Sequence, residues 1–529
     1  MQEFGTSTAT SSGTVEQYGL FEAALPGRTA GNPFTDYTVS GHFTSVQESI
    51  RVDGFYDGDG TYRVRFMPSH TGRYSWRVEG SFSDTVYEGT FAVTPAQEGN
   101  HGPVRVAGRH HFAHADGTPY LPFGTTCYVW THQPEDVQQK TLEALQHSPF
   151  NKIRFCVFPK HYIFNLTDPV SFPYEGTPCD RSGINESNFR YEGVLPGNDW
   201  DFSRFNTAHF QAFERRIRDL MALGIEADLI VMHPYDCWGF CRMTAEQDDL
   251  YWRYVVARFA AFRNVWWSLA NEFDLLNEKT DADWERYADI LVTRDPYGRL
   301  RSIHNCMRFY DHARPWVTHC SIQSSDLAKT QDWLAQYDKP VILDEMCYEG
   351  DIDLGWGNIT AGEMSHRCWE VALRGGYIGH GETYVYPEAS CSTAADGAGA
   401  DPQTLLWWSH GNILHGDSPA RIAFLREVME SVPGKALRPK FLNWDVTCAI
   451  PEDPAWEGRY MLVYFGIKRP SFRNFQFDDI HRYRVEIIDT WGMTIEDAGT
   501  FQGWFKVRLP PKQHLALRIT RVEDEVVTG

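Results

Sequence analysis

From residue 101 to 432 the chain repeats one unit: a short apolar run, then a longer stretch with apolar residues at helical spacing. Strands alternating with helices dictate a parallel sheet, because joining two parallel strands takes a crossover of a dozen or more residues. The runs are 120–125, 151–159, 225–233, 265–270, 300–305, 316–323, 339–345 and 375–384. Helical stretches lie at 137–146, 205–223, 248–262, 281–295, 326–337 and 362–374. Read as eight strand–helix units, this region is expected to close into a (β/α)8 barrel, an α/β fold whose active site lies at the C-terminal ends of the strands.

The regions on either side read differently. Residues 15–100 carry short period-two runs such as Ile50-Arg-Val-Asp-Gly-Phe-Tyr, separated by Gly, Asp and Pro, and residues 437–529 do the same. Each predicts a β-sandwich. Such modules either bind sugar or brace the barrel. Residues 1–14 are polar and of low complexity, a disordered arm or a cloning remnant. They lack the basic and apolar stretches of a signal peptide, and no run approaches a membrane span, so a cytoplasmic protein is expected. The 11 cysteines show no paired CxxC pattern and read mostly as buried thiols. A formal net charge of −21 speaks against nucleic acid and anionic membrane as partners, since both demand basic patches. Homo-oligomerisation is left open.

Two of the eight runs end in acid. Val265–Ala270 leads into Asn271-Glu272, and Lys339-Pro-Val-Ile-Leu leads into Asp344-Glu345. A buried unpaired carboxylate is costly, so an acid at a barrel strand end reads as chemistry before it reads as core. Two such acids on different strands are what glycoside hydrolysis requires. Strand alternation sends Asp344 and Glu345 to opposite sides. Glu226 and Asp228, earlier on their strand, read as core ion pairs.

Asn271-Glu272 at the fourth strand and Glu345 at the seventh resemble the retaining glycoside hydrolases that carry acid/base and nucleophile at those two positions. With its flanking sandwiches, the chain is similar to bacterial multi-domain, apiosidase-like glycosidases. The resemblance covers the barrel, and it selects Glu345 over Asp344. It implies Glu272 as acid/base, with a pKa raised by partial burial and by the charge of Glu345. It implies Glu345 as an ionised nucleophile supported by Arg154, Asn271 as a ligand of the sugar 2-hydroxyl, and no cofactor. A His-x-Tyr often ends strand six in that group. Here the sequence is His319-Cys-Ser321, so Tyr348 or Tyr384 is expected to orient the nucleophile instead.

The remaining candidates follow predicted strands. His233, His304, His319 and His380 suit either sugar hydroxyls or a metal, but strand one lacks the His-x-His of metal-dependent barrel hydrolases, so no metal is expected. Trp130, Tyr235, Trp238 and Tyr384 are candidates for stacking on sugar faces, with core packing the alternative for each. Tyr128 and Trp356 lie on similar loops. Gln323 and Glu382 are candidate hydroxyl ligands. The long segment 160–201, rich in Asn, Gly and Pro, is expected to wall a pocket. The function expected is a retaining, exo-acting glycosidase on terminal pentofuranosides or galactosides. The alternatives are a transglycosylase using the same two acids, a carbohydrate-binding protein on a degenerate barrel and a metal-dependent hydrolase.

Overall fold

The computed structural model describes residues 13–185, 187–191, 193–384 and 410–522. Most of the expected N-terminal arm lies outside them, and its last residue, Thr14, begins a strand, Thr14–Glu16, that pairs in parallel with Ala92–Thr94.

Eight parallel strands form one sheet: β1 (Phe123–Thr126), β2 (Lys152–Cys156), β3 (Glu226–Met232), β4 (Val265–Ala270), β5 (Arg301–Ser302), β6 (Cys320–Gln323), β7 (Val341–Glu345) and β8 (Tyr377–His380). Their order is 5-4-3-2-1-8-7-6, and a bridge between His304 and Ser321 closes the ring. Every residue of β2, β3, β4 and β7 is buried, as expected of strands covered on both faces. The connecting helices are α1 (Glu135–Gln146), α2 (Thr207–Ala222), α3 (Ala245–Phe259), α4 (Asp281–Arg294), α5 (Thr330–Tyr337) and α6 (Ala361–Leu373), and α7 (Ser418–Glu430) follows β8. Local chemistry fixes several helix starts. Thr244 opens α3 with a capping box, its hydroxyl accepting from the Gln247 N–H while the Gln247 side chain accepts from the Thr244 N–H.

The barrel departs from eight regular units in two places. No described residue between β5 and β6 is α-helical. There the Asp274 carboxylate accepts the backbone N–H groups of Cys306, Met307 and Arg308 at 2.6–2.7 Å, satisfying donors that a helix would otherwise use. At the other end, β1 starts only at Phe123. Tyr120 belongs to a small sheet of Val104–Ala107, His111–His114 and Pro119–Tyr120. Val104, Phe112 and Tyr120 pack on Trp266, Leu300 and Ile342 and floor the barrel.

The N-terminal region contains a five-stranded and a three-stranded sheet, and the C-terminal region a six-stranded and a two-stranded one. The first meets the barrel through buried charge. Arg65 bonds Glu22 and Glu214, each at 2.7 Å, and Arg258 pairs with Asp57 at 2.7 Å. The second packs Leu462, Tyr464 and Ala516 into the same apolar cluster as Cys368, Trp369 and Leu425 of α6 and α7. No described helix is long and apolar enough to cross a membrane. Among the described residues every cysteine is a free thiol, and all but Cys306 are buried.

Candidate active site

The C-terminal ends of β4 and β7 open into one cavity of about 530 Å³, lined by Glu272, Glu345, Lys160, Tyr235 and Tyr348 among others. A larger cavity of about 910 Å³ lies between the N-terminal sandwich and the barrel, away from the strand ends, and neither of these two acids lines it. Glu272 adopts a left-handed conformation, φ +48° and ψ +54°, which a non-glycine residue rarely takes. Strain of this kind persists where surrounding structure enforces it, commonly at functional positions. Its carboxylate accepts from the Tyr235 hydroxyl and, at 3.0 Å, from Asn271 Nδ2.

Glu345 is reached differently. In β7, Leu343 pairs with Ile322 and Glu345 with Gln323, so Asp344 is an extra residue in the ladder. Such a bulge re-aims the chain. The alternation expected from sequence therefore fails: Asp344 and Glu345 both approach Arg154, at 3.9 and 3.7 Å. Asp344 lies deeper in the barrel, bonded to Lys152 Nζ at 2.8 Å and the Ser321 hydroxyl at 2.5 Å. Lys152 also holds Asp228 at 2.7 Å. Glu226 is not an ion-pair member as expected. It accepts from Trp266 Nε1 at 2.7 Å, and burial pushes its carboxyl up to about 7.

Glu345 accepts from the Tyr128 and Tyr348 hydroxyls. Of the two tyrosines offered for this place by the sequence, Tyr348 occupies it, while Tyr384 donates to Glu349 at 2.7 Å. Burial first, then the charge of Glu272, pushes the Glu345 carboxyl up to about 7, against the pull of Arg154 and the two hydroxyls. This opposes the ionised form that the resemblance implies for Glu345. The reason is local: Glu345 is only 4% exposed, and its one guanidinium neighbour, Arg154, also approaches Asp228 and Asp344. Arg154 Nη2 also donates to Asn271 Oδ1 at 3.3 Å, linking both acids through one buried cation.

Of the other expected ligands, Tyr235 and Gln323 line the cavity, while Arg154 and Asn271 lie buried against the two acids. His304 is buried 3.9 Å from Glu345 Oε1, with burial and Arg154 holding its imidazole neutral. The rest are drawn elsewhere by packing. Trp130 packs edge-on against Phe155, His233 meets the Phe158 carbonyl at 3.2 Å, and Trp238 packs on Phe172 beneath Arg181. His319 lies toward the barrel floor, edge-on to Trp266 and Phe112. Glu382 and Tyr384 sit behind the cavity wall with Glu349.

The reading of the sequence missed Lys160, Tyr162, Tyr191 and Cys306. Lys160 Nζ lies 3.9, 4.5 and 4.1 Å from the ring centroids of Tyr128, Tyr162 and Tyr235, and burial lowers its pKa. The signal was present, since Pro159-Lys160-His-Tyr162 lies just beyond the end of β2, past Val157 and Phe158, near a strand end like the two that carry acid. Tyr162 and Tyr191 come from the long 160–201 segment, which forms part of the cavity wall. The Cys306 thiol contacts Glu272.

The apiosidase-like catalytic domain family matches residues 106–433, and two domains of unknown function, DUF5060 and DUF5605, match 14–81 and 444–520. No curated protein matches the chain. A crystal structure of a candidate glycoside hydrolase from Bacteroides vulgatus ATCC 8482 is 36% identical, with a TM-score of 0.86, over 96% of this chain and all of that one. A glycoside hydrolase family 5 structure from the same organism shares the fold at 14% identity and a TM-score of 0.57, over 81% of this chain and 95% of its own. The chain therefore belongs to the apiosidase-like family and is a glycoside hydrolase of the (β/α)8 type.

Proposed function

We propose that the protein is a retaining glycosidase, with Glu272 as acid/base and Glu345 as nucleophile. The observation that carries this reading is the pair of buried carboxylates, from the ends of β4 and β7, in one cavity. A bound glycoside places its anomeric carbon against Glu345 and its leaving oxygen against Glu272. Glu345 attacks, the C–O bond breaks, and the Glu272 proton passes to the leaving oxygen. Glu272, now a carboxylate, takes a proton from water, and the resulting hydroxide displaces Glu345 with its charge restored. The Tyr128 and Tyr348 hydroxyls and Arg154 hold Glu345 as an anion at attack. Tyr235 and Asn271 orient Glu272.

The pair is proposed to hold a single proton near neutral pH, because two enclosed like charges resist ionising together. Positive charge developing at the sugar favours the anion of Glu345 and leaves the proton with Glu272. The enclosing 160–201 segment supports action on terminal sugars over an open groove. The apiosidase-like relationship supports a pentofuranoside, with a galactoside as the second choice.

The test uses aryl furanosides and pyranosides with wild type, Glu272→Gln and Glu345→Gln, with and without chelator. We expect one glycoside to be cleaved, with both variants slowed about 10³-fold. Proton NMR of the first product formed is expected to show the substrate's anomeric configuration. An inverted product, or full activity in either variant, would overturn the assignment.

A further inference from the structure

Behind the cavity wall, the chain after β7 and at the end of β8 carries a second set of donors that the proposed chemistry does not use. Glu349–Gly350 pairs with Glu382–Thr383 in a short parallel ladder. Glu349, His380 and Glu382 are each no more than 1% exposed. One carboxylate oxygen from each Glu and one ring nitrogen of His380 lie within 4.8 Å of one another. None of the three lines the cavity of Glu272 and Glu345.

Charge makes this cluster unusual. Buried carboxylates require a counter-charge, yet among the described residues no Lys or Arg pairs with Glu349 or Glu382. The rest of the sequence supplies none either, since residues 1–12, 186, 192, 385–409 and 523–529 contain no Lys, Arg or His. Neutralisation is left to a proton or a bound cation. Both carboxylates are nevertheless set up as acceptors. Glu349 receives the N–H groups of Asp417 and Ser418 at 2.9 and 3.1 Å and the Tyr384 hydroxyl at 2.7 Å. Glu382 receives those of His415 and Gly416 at 2.6 and 2.9 Å. Such outer contacts orient carboxylates and leave lone pairs for a ligand.

His380 supplies an independent observation. Its Nδ1 meets the Thr125 hydroxyl at 3.0 Å, while its fully buried Nε2 has no hydrogen-bond partner among the described residues. A neutral imidazole nitrogen of this kind is a metal donor. We propose that Glu349, His380 and Glu382 bind one divalent transition-metal ion of the Zn²⁺ or Mn²⁺ class. A nitrogen beside two carboxylates suits such ions, whereas Ca²⁺ and Mg²⁺ favour oxygen alone. The site is structural. It ties the chain following β7, the end of β8 and the start of α7 into one unit, and Tyr348, which contacts Glu345, is the residue next to Glu349.

The test strips full-length protein with chelator and measures metal content and Tm on adding Zn²⁺, Mn²⁺ or Ca²⁺. Wild type is expected to retain about one equivalent of Zn²⁺ or Mn²⁺ and to gain several degrees in Tm. The gain is expected to vanish in His380→Gln and Glu382→Gln and to persist in Glu272→Gln. Because a buried variant can fail to fold, the wild type is also loaded with Co²⁺, whose visible absorption reports nitrogen and oxygen ligation. No uptake, no Co²⁺ bands, stabilisation by Ca²⁺ alone, or an equal Tm gain in His380→Gln would each overturn the proposal and leave a proton as the neutralising species.

Discussion

Burial pushes the carboxyls of both Glu345 and Glu226 upward, with different consequences. Glu345 sits beside Glu272, so its proton belongs to the pair. Loss of the last shared proton near pH 7 removes the acid that the proposed mechanism needs. We therefore expect kcat/KM to fall above about pH 7 and at acid pH, where both acids are protonated. In Glu272→Gln the neighbouring charge is gone, and the alkaline limb should disappear from azide-rescued activity; a limb left unmoved would refute the pairing. Glu226 is purely structural. Its folded pKa, about 7, lies above its usual 4.5, so the native state binds the extra proton between these values and stability falls as pH rises through that window. The difference corresponds to about 3 kcal/mol. Glu226→Gln should match wild type near pH 4.5 and exceed it by up to that amount at pH 8 in urea titrations. No pH-dependent difference would show that Glu226 remains ionised.

At the scale of elements, the strands were legible because a strand buried on both faces must be apolar along its length, as Val265–Ala270 is. The bulge at Asp344 was not. It is set by pairing with Ile322 and Gln323, twenty-odd residues away, and no local pattern encodes it. The same holds for Gly381. A Cβ there would lie 1.9 Å from the Tyr348 ring, so this glycine keeps the hydroxyl against Glu345. Gly381→Ala is expected to displace Tyr348 and lower kcat about tenfold, with little change in KM. Unchanged kinetics would remove Tyr348 from the account. The stacking candidates Trp130 and Trp238 were indistinguishable from core by sequence, because both roles call for a large ring just past a strand.

Across the whole molecule, the N-terminal sandwich is joined to the barrel by charge held out of water. Arg65 is 2% exposed and bonds Glu22, Glu214 and the Arg258 carbonyl. Removing one member of such a network leaves the others buried and unpaired. Arg65→Met is expected to cost about 3–5 kcal/mol in urea unfolding and to separate sandwich and barrel into distinct transitions. A loss below about 1 kcal/mol would mean that water reaches this junction.

The sequence by itself determined the alternation of elements, hence the barrel, and the two acids at its fourth and seventh strand ends, because periodicity and burial act over a few residues. Tertiary structure alone decided which side chains face the cavity, that burial raises the Glu345 carboxyl, and that Lys160, Tyr128 and Tyr348 surround the two acids. Those outcomes depend on distances between strands far apart in the chain, and on how one buried guanidinium divides its charge among several carboxylates.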